Sequence, residues 1–64
     1  MFSLSIETGN AAFADPATGE PSEICEEMET ERILQDVLRK ISNGERNGSC
    51  IDINGNKVGS WKFS

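Results

Sequence analysis

Phe2, Leu4 and Ile6 alternate with Ser3, Ser5 and Glu7. A period of two is the signature of a strand with one face buried. Thr8-Gly9-Asn10 interrupts the alternation. Residues 9–21 hold both prolines of the chain, two glycines and several small residues, which predicts a loop. Ala12 and Phe13 are its only large-enough apolar anchors, and Phe13 is expected to tuck against the edge of the core.

From Ser22 the pattern changes to a helical one. Ser22 can accept from backbone N–H groups two or three residues on and so cap a helix. Glutamates crowd the first turns, while Arg39 and Lys40 lie in the last, both placements favourable to the helix dipole. Asn43-Gly44 is a stop, because glycine takes the left-handed conformation without strain. The predicted helix therefore runs from Ser22 to Ser42. At about 100° per residue, Ile33, Leu34, Val37, Leu38 and Ile41 gather in one arc, with Arg32, Asp36, Arg39 and Lys40 opposite. The first turns break this stripe. Glu23 and Glu27 point along its centre, and Ile24 and Met28 sit to one side. Either the first half of the helix overhangs the sheet or the chain bends near Thr30.

Beyond the turn region GERNGS, the runs CIDI and KVGSWKF flank Asn54-Gly55-Asn56. Asn-Gly between apolar alternations is a strong hairpin signal. A turn centred on Gly55-Asn56 would set Ile53 opposite Val58 and Cys50 opposite Trp61. Ile51, Ile53 and Val58 would share one sheet face, and Cys50, Trp61 and Phe63 the other. The same stretch has a second reading, since Asp52, Asn54 and Asn56 occupy the first three ligand positions of a calcium loop. Position 6 of such a loop requires glycine and position 12 glutamate, and here they are Lys57 and Phe63. The hairpin reading is preferred and no metal site is expected.

The element order is β-α-β-β, an α+β fold with one amphipathic helix packed on a three-stranded sheet that ends in a C-terminal hairpin. Residues 1–64 form one small domain. The expected core is Phe2, Leu4, Ile6, Leu34, Leu38, Ile41, Ile51, Ile53 and Val58.

Composition narrows the function classes. A chain of 64 residues buries only about 60% of its unfolded surface, so association can supply missing burial. There is no histidine and no tyrosine, which removes the commonest general base. No glycine-rich phosphate loop is present, and no serine has a base beside it in a nucleophile arrangement. Catalysis and cofactors are therefore not expected. No apolar run approaches a membrane span, and the first residues lack the basic and apolar regions of a signal peptide. A cytoplasmic setting with reduced Cys25 and Cys50 thiols is the expectation.

Charge is distributed unevenly. The net charge is −5, and every residue before Arg32 that carries a side-chain charge is acidic. Such a chain repels nucleic-acid phosphates, and a protein with a basic surface is the better partner.

The runs IETGNAAF, ERILQDVLRKI and DINGNKVG, the last followed by Trp61, resemble a family of small phage- and prophage-encoded proteins of unassigned function. The resemblance covers most of the chain outside residues 14–28, where this sequence carries a longer acidic lead into the helix. It implies a phage or mobile-element setting, usually the bacterial cytoplasm, and nothing about mechanism. The leading expectation is an accessory protein that acts by protein–protein binding, with a homodimer as a further option. Glu23, Ile24, Glu27, Met28 and Glu31 are the candidate contact residues. The alternatives are an acidic inhibitor that imitates phosphate to block a host nucleic-acid-handling or defence machine, and a small structural phage component.

Overall fold

A computed structural model describes residues 1–64. Strand β1 spans Phe2–Ile6, a 3₁₀ turn Ala11–Phe13, helix α1 Glu23–Ser42, strand β2 Asn47–Ile51 and strand β3 Lys57–Phe63. The strands form one antiparallel sheet in the order β1-β3-β2. Helix α1 starts where its cap was expected, with the Ser22 hydroxyl accepting from the Cys25 N–H at 3.3 Å. It stops at Asn43, after which Gly44 takes a φ of 92°.

The face that α1 buries is rotated from the expected one. Ile33 and Val37 are the buried apolar residues of the helix, and they pack with Phe13, Cys50, Val58 and Trp61. Leu34 is 44% exposed and Leu38 63%. Both had been expected in the core, because the apolar arc of α1 is wider than the strip the sheet can cover. The buried strip runs along the Ile33–Val37 edge of that arc. Ile41, Leu4 and Ile6 are partly buried against the cluster, as expected. Phe13 lies fully inside the core rather than at its edge.

The hairpin also departs from the expected register. Strand β2 begins at Asn47, earlier than Cys50, and Cys50 pairs with Gly59 while Gly48 pairs with Trp61. Between Cys50 and Ile51 the register shifts, and Val58 is the extra residue on β3. A bulge of this kind reverses the alternation of faces, so Val58 and Trp61 both point toward α1. Ile51 and Ile53 fall outside the core as a result, and Phe2 at the far end of β1 is 43% exposed. The two-faced apolar sheet implied by the simple hairpin is therefore not formed. Residues directly opposite in the ladder share a face, which puts Ser3, Ser5, Asn47, Ser49, Ser60 and Lys62 together on the side away from the helix.

Gly59 and Gly48 permit this packing. A Cβ at Gly59 would collide with the Ser5 carbonyl, and one at Gly48 would lie 2.9 Å from Nε1 of Trp61. The Trp61 side chain fills the space over Gly48, its indole N–H buried without an acceptor. Phe2 and Phe63 close the end of the cluster, with ring centroids 4.9 Å apart, and the Arg46 guanidinium lies 4.7 Å over Phe63.

Candidate partner-binding surface

The helix does not bend at Thr30 but runs unbroken, with its first half resting on the 3₁₀ turn. Polar contacts add to the apolar packing that holds it. Glu29, only 7% exposed, lies on the same stripe as Ile33 and Val37. Its Oε2 accepts from the Ile53 N–H at 2.8 Å, and both carboxylate oxygens accept from Arg32 at 2.7 and 3.1 Å. Arg32 also donates to the Ile51 carbonyl at 2.9 Å. The Arg32 hydrogen bonds are the largest influence on Glu29. Together with the Ile53 N–H they outweigh burial and hold its carboxyl below the usual range.

Asp52 is the second hub. Its Oδ1 accepts from the N–H groups of Asn54 and Asn56 at 2.9 and 2.8 Å, and its Oδ2 from the Asn10 amide at 2.7 Å and the Asn56 amide at 3.3 Å. Burial raises its pKa. The four donors act the other way and leave it lowered overall. Asn10 in turn caps the 3₁₀ turn by accepting from the Ala12 N–H at 3.0 Å. The five-residue connection Asp52–Asn56 is thus an organised turn, with Gly55 at a φ of 86°. The carboxylate that began the calcium-like pattern is committed to backbone and amide donors. Asn10, Glu29 and Asp52 tie loop, helix and hairpin together. From the sequence, Asp52 stands out only as a rejected calcium ligand, and Asn10 and Glu29 do not stand out. A carboxylate on the apolar stripe of α1 was the available signal, but the centre of the arc pointed to Glu23 and Glu27 instead.

The five candidate contact residues lie on two flanks of α1. Ile24 and Met28 are 69% and 65% exposed. Met28 borders a shallow apolar groove that Ala11, Ala14, Pro16 and Ile53 complete, with Arg32 beside it. Glu23, Glu27 and Glu31 rise along the neighbouring stripe, each about one turn above the last. Glu27 and Glu31 border a second trough together with Thr8, Leu34 and Leu38. The three salt bridges of the chain are Glu29–Arg32, Asp36–Arg39 and Asp36–Lys40, so none neutralises this column. Glu31 accepts a hydrogen bond from Gln35 at 3.3 Å, and Glu26 accepts from Thr8 at 2.8 Å, tying the first turns to the end of β1. The arrangement offers adaptable apolar anchors beside uncompensated negative charge.

Cys25 and Cys50 are free thiols. Cys50 is buried, and desolvation pushes its thiol pKa up. No helix is long and apolar enough to cross a membrane. No protein-family model matches the chain, and neither a curated protein nor a solved structure matches it.

Proposed function

We propose that this chain is a non-catalytic accessory protein of a phage or prophage that binds another protein, one with a basic surface, through the first half of α1. The observation that carries the reading is the pair Ile24 and Met28. Both are large apolar side chains left mostly in solvent on turns dense with carboxylates. Methionine adapts to varied contact surfaces, and apolar anchors with a charged rim are how a helix and a groove recognise each other. The negative charge favours a cationic partner and speeds encounter with it. The phage setting rests on the resemblance of the NAAF and DINGNKVG segments.

A second reading has its own support. Glu23, Glu27 and Glu31 form a carboxylate column on an exposed helix flank, as an imitation of a phosphate backbone requires. An inhibitor of a nucleic-acid-handling machine would use this column, and DNA or RNA would then compete with it for the partner.

The test is a binding measurement with the partner recovered from the bacterial host, comparing the parent with the Ile24→Ser, Met28→Ser double variant. The expected result is at least a tenfold loss of affinity, about 1.4 kcal/mol, with an unchanged melting temperature. Undiminished binding, or a large fall in melting temperature, would remove these residues from the binding surface.

A further inference from the structure

We infer that β1 is the seam of a homodimer, in which two copies pair their first strands antiparallel to form a six-stranded sheet with both helices on one face. The seam leaves Ile24 and Met28 free, whereas Glu27 and Glu31 border the same trough as Leu34 and Leu38.

The first argument is the state of the edge. In the order β1-β3-β2, β1 pairs on one side only. The Glu7 N–H donates to the Val58 carbonyl at 2.7 Å and the Ser64 N–H to the Met1 carbonyl at 2.8 Å. Odd-numbered residues of this segment therefore bond inward to β3, and the backbone groups of Phe2, Leu4 and Ile6 point outward. Edge strands are ordinarily protected by charge, proline, a bulge or a covering element. From Phe2 to Ile6 there is no charged residue and no proline, and the pairing with β3 has no register shift. The opposite edge differs, because β2 ends in the bulge and Arg32 occupies the Ile51 carbonyl.

The second argument is the uncovered apolar face. Arg32 reaches β2, so the flank of α1 that carries Leu34 and Leu38 faces the β1 side, where Thr8 lies beside them. Leu34, Leu38 and Phe2 remain exposed along that side, and Leu4 and Ile6 are only partly covered. A two-fold axis perpendicular to the sheet through Leu4 sets Leu4 opposite Leu4 of the second copy and Phe2 opposite its Ile6. Each pair exchanges both of its backbone hydrogen bonds. The side chains of these residues then line one continuous apolar seam, flanked above by the leucines of both helices.

The third argument is area. A monomer of 7.0 kDa ordinarily exposes about 4,000 Å², whereas this chain exposes 4547 Å². The excess leaves more surface than usual for a second copy to cover, and a specific interface needs about 1,000 Å² from the two partners together.

The test uses sedimentation equilibrium on the full chain over nanomolar to high micromolar concentrations, with hydrogen exchange read in parallel. The expected mass at the upper end is twice 7.0 kDa. The amides of Phe2, Leu4 and Ile6 should gain protection as concentration rises. A synthetic chain N-methylated on the Leu4 amide loses the outward donor but keeps its side chain, and should sediment as a monomer with an unchanged helical spectrum. A parent that is monomeric throughout would overturn the proposal, as would an N-methylated chain that still dimerises. If N-methylation unfolds the chain, the exchange data on the parent decide. Dimerisation without protection of the three amides would place the interface elsewhere.

Discussion

A buried carboxylate is tolerated only where hydrogen bonds or a counter-charge replace its hydration, and Glu29 and Asp52 are supplied in different ways. Glu29 has a guanidinium and one backbone N–H, and Asp52 has four neutral donors. Asp36 is only half-buried, but the same balance applies to it. Burial raises its pKa, but Arg39 and Lys40 outweigh that and leave it lowered. A carboxyl whose pKa is lower folded than unfolded contributes stability that is present above its unfolded value and lost as pH falls through its folded value. The ordinary values are 4.5 for Glu29 and 3.8 for Asp36 and Asp52. The melting temperature should therefore be flat with respect to these groups above about pH 5 and should fall as the solution is acidified below 4.5. The Glu29→Gln variant should show a shallower acid slope by calorimetry, and an unchanged slope would mean that folding leaves the Glu29 pKa at its unfolded value. Because both Asp52 oxygens already accept hydrogen bonds, millimolar calcium should leave the melting temperature and the amide shifts of residues 52–58 unmoved. Saturable shifts would mean that the ion displaces those donors.

The elements themselves were legible in the sequence, and their orientation was legible only in part. The alternation at Phe2–Ile6, the Ser22 cap and the Asn43-Gly44 stop are local signals, and each lies where it was read. The rotation of α1 is set by which flank meets Cys50 and Trp61, a tertiary choice that an arc with five apolar residues leaves open. Replacing Ile33 with alanine should cost about 2–5 kcal/mol in chemical denaturation. In dilute solution Leu38→Ala should stay within about 0.5 kcal/mol, as for other exposed sites, and the reverse order would return Leu38 to the core. The faces of the hairpin were illegible for a different reason. A single extra residue at Val58 inverts the alternation, and nothing in KVGSWKF marks a bulge except Gly59. That glycine has a packing role as well. Gly59→Ala should cost more than the ~1–3 kcal/mol of ordinary overpacking, because its Cβ meets the β1 backbone rather than a side chain that can turn away. Gly9→Ala, with open space around it, is the matched control. Of the candidate surface, what the structure adds is the exposure of Ile24 and Met28. Ile24 and Met28 were found through an apparent break in the helical stripe, although the carboxylate that truly interrupts the stripe is Glu29.

The whole molecule is an extended body of 39 × 18 × 17 Å whose charge is not arranged for its own stability. Glu23, Glu27 and Glu31 are spaced four residues apart along an exposed flank, and like charges at this spacing destabilise a helix by about 0.2–0.5 kcal/mol per pair. Every salt bridge of the chain lies outside the column. Glu23 has a compensating role in the first turn, where a negative charge meets the positive end of the dipole. Glu27 and Glu31 lie beyond that reach, and Glu27 belongs to both unfavourable pairs. The Glu27→Gln, Glu31→Gln variant removes both repulsions and retains Glu23. It should be more stable than the parent by about 0.4–1 kcal/mol, read as a rise in denaturation midpoint at low ionic strength that disappears in concentrated salt. If the column serves a cationic partner, the same variant should associate more slowly with that partner, and its binding should depend less on salt, while dissociation changes little. Stability gained together with slower association is the outcome that assigns the column to recognition. A loss of stability would show that the two glutamates support the fold through contacts absent from this structure. A gain in stability with unaltered association would leave the charge as a solvated flank, and binding would then rest on Ile24 and Met28 alone.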